Sequence, residues 1–234
     1  MKSIEDRANL QPNETIENLG EDYYIIQGKD EFRFGTDAVK LADFASVKPG
    51  DKVMDLCTGT GIVPLLLHRK AKQASYCGLE IQPQMADIAK RSVKLNDLTD
   101  DIEIIEGDLK EVRSHFTAES FHVVTCNPPY MKYETGKQNA REQVSIARHE
   151  ICCSMEDCVM AASFLLRSGG KFYMVHRPER LADIMTVMRR EKVEPKRLEL
   201  FAKASGSTPR LMVIEGQKNR KSGLIVSLYT GENA

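Results

Sequence analysis

No apolar run in this 234-residue chain approaches the roughly 20 residues that a membrane-spanning helix needs; the longest clear one, Val159 to Leu166, is far shorter. The N-terminus also lacks the apolar stretch of a secretory signal and carries Glu5, Asp6 and Arg7 in its place, so export is not expected. There is no low-complexity tract and no repeat of fixed period. The six cysteines (Cys57, Cys77, Cys126, Cys152, Cys153 and Cys158) form no C-x-x-C pair, and no two histidines stand at metal-ligand spacing, so no metal site is expected. Several of these cysteines fall in apolar strand-like runs, where a free thiol acts as a small buried hydrophobe. A reducing, cytoplasmic location is the matching expectation.

With 41% hydrophobic and 29% charged residues, the composition is that of a globular domain, and the length suits one well-buried domain with modest additions. The formal net charge of −1 conceals an asymmetry: residues 167–221 hold 14 Lys and Arg against 6 Asp and Glu. A basic third of this kind reads either as a contact for a polyanion or as a solvated basic face.

Strand-like and helix-like segments alternate. Residues 51–56, 75–80, 102–106, 121–126 and 171–176 read as strands. Helical character follows over 62–72, 83–96, 156–167 and 178–191, with Pro83 in a first turn and Gly169-Gly170 as a helix stop. The segments 196–203, 210–215 and 224–229 read as trailing strands. The expected fold is therefore α/β, Rossmann-like and mostly parallel, with an antiparallel C-terminal edge. In such sheets ligands bind beyond the carboxyl ends of the strands. Those ends carry Asp55, Glu80, Glu106 to Asp108, and Cys126-Asn127.

The turn Asp55-Leu56-Cys57-Thr58-Gly59-Thr60-Gly61 lacks the third glycine of a dinucleotide fingerprint, since Pro64 takes its place, and lacks the Gly-Lys-Ser/Thr ending of a phosphate loop. It reads as a ligand turn of Rossmann type or as a structural turn. Glu80, 25 residues on from Asp55 at a strand end, suits the two hydroxyls of a ribose, or is a surface glutamate. Asp108 suits an adenine amino group with Leu109 against the ring, or is a loop aspartate. Asn127-Pro128-Pro129-Tyr130 is stiff, because two prolines fix φ and remove two backbone donors. It presents the Asn127 amide oxygen and the Pro128 carbonyl as acceptors, beside the aromatic face of Tyr130. Such a group can hold a planar amine; in isolation it is also a plain turn.

In this order and spacing, these residues resemble the class I S-adenosylmethionine-dependent methyltransferases that modify planar nitrogens. Phe32-Arg33-Phe34-Gly35-Thr36-Asp37-Ala38, Ile146-Ala147-Arg148-His149-Glu150 and Leu211 to Gly216 resemble segments of the bacterial tRNA1(Val) (adenine-37-N6)-methyltransferase family, over roughly residues 20 to 230. One departure stands out: Cys57 occupies a position where glycine is common. The resemblance implies S-adenosyl-L-methionine as cofactor, held by Thr36, Asp37, Asp55, Cys57, Thr58, Gly59, Gly61, Glu80, Ile81, Asp108, Leu109 and Asn127. It implies catalysis by Asn127, Pro128, Pro129 and Tyr130 on an adenine N6. The implied partner is RNA, with tRNA as the expected class, contacted by Lys132, Lys137, Arg141 and Arg148; no membrane and no metal are implied. Residues 1–30 are expected as an N-terminal extension and 31–230 as a single methyltransferase domain. Two other readings stay open: methylation of a different acceptor (a protein glutamine amide, rRNA or a DNA base), and a cofactor-binding RNA-associated protein without catalysis. Glutamine-modifying enzymes typically carry a helical domain before the cofactor turn, whereas about 50 residues precede Asp55 here.

Overall fold

The structure, a computed structural model, describes residues 4–29, 35–129 and 153–231. After a short helix α1 (Ile4–Ala8), strands β1 (Glu14–Gly20) and β2 (Tyr23–Gly28) pair as an antiparallel hairpin apart from the main sheet. The chain then alternates: α2 (Thr36–Phe44), β3 (Lys52–Leu56), α3 (Ile62–Lys70), β4 (Ser75–Glu80), α4 (Pro83–Leu95), β5 (Ile102–Glu106), α5 (Val112–His115) and β6 (Phe121–Cys126). Beyond residue 153 come α6 (Met155–Leu165), β7 (Leu166–His176), α7 (Leu181–Arg190), β8 (Val193–Ala202), β9 (Leu211–Lys218) and β10 (Ile225–Thr230).

Eight strands form one sheet in the order β10-β8-β9-β7-β6-β3-β4-β5. Strand β9 is the reversed one, antiparallel to β7 and to β8. The outermost strand β10 runs parallel to β8, so the C-terminal edge is mixed. The central strands are apolar nearly throughout, as strands covered on both faces must be. One face packs Val53, Val123, Tyr173 and Val213 beneath α2, α3 and α4. The other packs Met54, Val124, Phe172 and Ile214 beneath α6 and α7. The order reverses between β3 and β6, the switch point at which sheets of this kind bind ligands beyond the strand carboxyl ends.

Gly169-Gly170 does not stop a helix. Helix α6 ends at Leu165, and both glycines lie inside β7. Phe121 pairs with Leu166 and Val123 with Lys171, so β7 bulges between these pairs. Gly169 takes φ +77°, and a Cβ on Gly170 would stand 2.9 Å from the Arg167 carbonyl oxygen and 3.0 Å from that of His122. Glycine here serves a strand bulge, which looks in sequence like a helix terminator.

The hairpin braces α4. The β2 backbone N–H of Ile26 donates to Ser92 Oγ (3.0 Å), and Asn96 both accepts from Tyr24 N (2.7 Å) and donates to Tyr24 O (2.6 Å). Arg91 grips Glu14 through both terminal guanidinium nitrogens at 2.7 and 2.5 Å. Helix α4 in turn backs the turn that follows β3, through Ala89 against Gly61.

Candidate functional site

Asp55 sits in the middle of the sheet, paired with Gly78 on β4 and Thr125 on β6. It is 2% exposed. The Thr125 hydroxyl donates to Asp55 Oδ1 at 2.6 Å, while Asp55 Oδ2 and Thr58 Oγ1 are buried without a hydrogen-bond partner among the described residues. Burial pushes the Asp55 carboxyl up to about 7; the Thr125 and Thr58 hydroxyls oppose the shift, and the Glu80 charge adds to it.

The turn after β3 is stitched to β4. Thr58 N donates to Leu79 O (3.1 Å), Gly61 N to Thr58 O (3.0 Å), and Gly59 N to Glu80 Oε2 (2.8 Å). Glu80 Oε1 accepts from Gln82 N at 2.9 Å. Each carboxylate oxygen thus takes one backbone donor and keeps a second lone pair. Gly61 caps α3 at φ +84°, and Gly59 lies at φ +56° with nothing within 4 Å of a would-be Cβ. Cys57 is also left-handed, at φ +58°, so the residue standing in a common glycine position carries a backbone cost of about 1 kcal/mol. Gly78 is required by packing: a Cβ there would stand 2.8 Å from both Thr58 Oγ1 and Ile104 Cδ1.

Leu56 pairs with Cys126, so Cys57 and Asn127 leave adjacent strands side by side. Pro128 is buried, and Asn127 and Pro129 are half-buried. From β5, Gly107 N donates to Glu80 O (2.9 Å), which brings Asp108 beside the same strand end. Asp108 caps a short 3-10 turn, accepting from Lys110 N at 2.8 Å, while the Leu109 side chain is packed in the core. Ile81, next to Glu80, is a large apolar side chain left 37% exposed. Thr36 and Asp37 open α2; among the described residues no hydrogen bond joins them to the Asp55–Glu80 group. Tyr130, Lys132, Lys137, Arg141 and Arg148 lie outside the described residues, as do Phe32 to Phe34 and 146–150.

Six of the fourteen cations of the basic third, Lys171, Arg180, Arg189, Arg190, Arg197 and Lys218, are ion-paired within the fold. Arg180 meets Asp183 (2.9 Å), Arg189 meets Glu194 (3.3 Å), Arg190 meets Glu191 (3.0 Å), and Arg197 meets Glu215 (3.2 Å). Lys218 is buried against Glu119 (2.9 Å) and the Leu166 carbonyl oxygen (2.9 Å).

Sequence spacing missed one constellation. Cys57, Cys126 and Cys158 bring their sulfurs within 4.8 Å of one another, and Cys153 Sγ stands 3.8 Å from Cys57 Sγ. Cys153 and Cys158 are spaced as C-x4-C, within the range of local metal-ligand pairs, but only the register of β3, β6 and α6 brings Cys57 and Cys126 to them.

Residues 53–149 match a family profile described as a methyltransferase domain. The tRNA1(Val) (adenine(37)-N6)-methyltransferase of Bacteroides thetaiotaomicron is 29% identical over 211 residues, covering 89% of this chain and 86% of that protein. The protein of the same name from Porphyromonas gingivalis is 30% identical over 158 residues, covering 65% of this chain but 61% of its own length. Against that relative the chain spans less than two thirds. Among solved structures, a predicted O-methyltransferase from Agrobacterium tumefaciens superposes with a TM-score of 0.65 at 22% identity, covering 83% of this chain and 86% of that one. A geranyl diphosphate methyltransferase in complex with SAM gives 0.56 at 12% identity, covering 77% and 84%. These likenesses show the fold. Over residues 53–149 the chain is thus similar to a methyltransferase domain, on a fold it shares with these solved structures. Among the described residues no helix is long and apolar enough to cross a membrane.

Proposed function

We propose that this class I S-adenosylmethionine-dependent methyltransferase modifies an exocyclic adenine amino group (N6) of RNA, with tRNA as its substrate class. One observation carries the reading: the Leu56–Cys126 pairing sets Asn127-Pro128-Pro129 directly against the Asp55–Gly61 turn. A methyl donor in the turn and an amine at Asn127 then face each other across two neighbouring strands.

The residues present fit the cofactor. Asp55 and Thr58 are buried polar groups at the turn, and the Gly59 backbone can be approached closely. Glu80 is held by two backbone donors with lone pairs to spare for ribose hydroxyls, and exposed Ile81 offers an apolar wall for a base. Asp108 stands beside them for the adenine amino group, and Leu109 supports that wall from the core. Cys57, Gly61, Thr36 and Asp37 complete the proposed set. Bound there, the cofactor supplies an electrophilic methyl group on a sulfonium.

The chain supplies position. Asn127 Oδ1 and the Pro128 carbonyl accept the two N–H bonds of the target amine, because Pro128 and Pro129 hold that segment rigid and offer no competing donors. An amine so held would turn its lone pair away from the ring and toward the side on which a cofactor bound at the turn would offer its methyl group. The methylated nitrogen is acidic, so its proton passes to solvent without a strong base. Tyr130 stacks on the base, which must be splayed out of the RNA to reach it. Lys132, Lys137, Arg141 and Arg148 meet phosphates. The domain assignment we propose keeps 31–230 as the methyltransferase domain and 1–30 as its extension.

The test is mass spectrometry of nucleosides from tRNA incubated with the protein and isotopically labelled cofactor. Labelled N6-methyladenosine is expected. Label found in a protein glutamine, or in no acceptor although the cofactor binds, would replace this reading with one of its two alternatives.

A further inference from the structure

We propose that Cys57, Cys126, Cys153 and Cys158 form a four-thiolate site for a single soft divalent cation, zinc above all. Among the described residues these four of the five cysteines converge, while Cys77 on β4 takes no part. The sulfurs of Cys57, Cys126 and Cys158 lie within 4.8 Å of one another, and that of Cys153 lies 3.8 Å from Cys57. A tetrahedral ion with Zn–S bonds of about 2.3 Å has S···S edges of about 3.8 Å. The Cys57–Cys153 edge already has that length, and the three edges among Cys57, Cys126 and Cys158 need to contract by no more than about 1 Å, while Cys153, which stands outside that mutual 4.8 Å group, must swing in to complete the tetrahedron.

The donor set chooses the ion. Four sulfurs and no oxygen reject magnesium and calcium and favour zinc or iron. Sulfurs this close leave room for one ion and not for a cluster of several irons and sulfides. On binding, four S–H bonds break, four metal–sulfur bonds form, and four protons leave to solvent. The ligands come from elements that are already fixed: Cys57 from the turn after β3, Cys126 from the end of β6, and Cys153 and Cys158 from either side of the α6 cap. Ser154 makes that cap rigid, since its hydroxyl accepts from Asp157 N (3.1 Å) and Asp157 Oδ2 accepts from Ser154 N (2.8 Å).

This site gives a reason for the left-handed Cys57. A glycine would relieve the backbone at φ +58° but would remove a ligand. Bound among these sulfurs, the ion also ties α6 to the two strand ends that carry the turn and Asn127. The expectation of no metal, drawn from local spacing, gives way to one drawn from the fold.

The test uses the full chain, stripped of metal by a chelator under reducing conditions and titrated with cobalt(II). We expect saturation at one equivalent, with thiolate-to-cobalt charge-transfer absorption, the intense visible bands of a tetrahedral sulfur site, and displacement by zinc. Cys126→Ser and Cys158→Ser should each weaken zinc binding at least about tenfold, whereas Cys77→Ser should leave it unchanged. Wild-type protein with all thiols titrated as reduced, yet giving no such bands and no zinc-dependent rise in Tm, overturns the proposal. So does a full-strength spectrum from folded Cys126→Ser. The readout involves no methyl transfer, so its failure is distinct from a failure of the RNA reading.

Discussion

Asp55→Asn removes a charge that the fold buries at a cost. The carboxyl is held up at about 7 against an ordinary 3.8, chiefly by desolvation. The folded state thus retains a proton that the unfolded state has lost, and the stability this confers at low pH disappears as pH rises from about 3.8 to about 7. The interval is about 3 pH units, and at about 1.36 kcal/mol per unit the full penalty above neutrality has a ceiling of about 4 kcal/mol. The replacing amide has its own burial cost but can still accept from Thr125, so a net gain of about 2 kcal/mol at about pH 8 is expected. For a chain of this length that raises Tm by about 4–8 °C. Thermal unfolding of both proteins without cofactor, at about pH 5 and about pH 8, is the assay. The gap between them should widen by about 3 kcal/mol at the higher pH at most, and cofactor affinity should fall as stability rises. A variant less stable than wild type at about pH 8, or a gap indifferent to pH, would refute the reasoning.

Asn127→Ala should lower kcat by at least about 100-fold, the scale set by loss of one positioned hydrogen bond at a reacting group. Cofactor binding, measured by calorimetry, should survive it; near-wild-type turnover would remove Asn127 from catalysis. Gly78→Ala drives a methyl group into Thr58 and Ile104 and should cost about 1–3 kcal/mol, read as a lower Tm, with cofactor affinity falling alongside. An unchanged Tm would mean that the turn has room to yield. If Lys132, Lys137, Arg141 and Arg148 each meet a phosphate, tRNA affinity should fall by about 100-fold between about 50 and 200 mM salt. A flat salt response would count against a nucleic-acid substrate.

Legibility followed the range of the interactions that fix each feature. The strands at 75–80, 102–106 and 121–126 coincide with β4, β5 and β6 residue for residue. Each is a short apolar run bounded by turn chemistry and ending in a polar residue or beside one, so local sequence suffices. The acids and prolines of the candidate site were legible for the same reason, since each directly follows or ends such a run. The hairpin β1–β2 was not, because its turn places Glu21 and Asp22 at φ +52° and +62° without the Asn-Gly that usually marks such turns. Gly169 misled because a left-handed glycine serves a strand bulge as well as it serves a helix end.

The cysteines show the limit most clearly, and they bear on how the site is built. Nothing within ten residues of Cys57 marks it as anything but an odd substitute for glycine, and Cys126 reads as one more apolar residue of β6. The Leu56–Cys126 pairing makes them neighbours, and the packing of α6 beneath the sheet adds Cys158. That same pairing sets Asn127 against the turn. If the four thiols do hold an ion, the register that aligns amine and methyl donor is fixed by a covalent-strength clamp one residue away from each. Loss of that ion should then reduce turnover more than it reduces cofactor affinity, because Asn127 depends on the alignment of β6 while Glu80 is anchored by Gly59 and Gln82. Equal losses in both would place the clamp's effect on the turn alone.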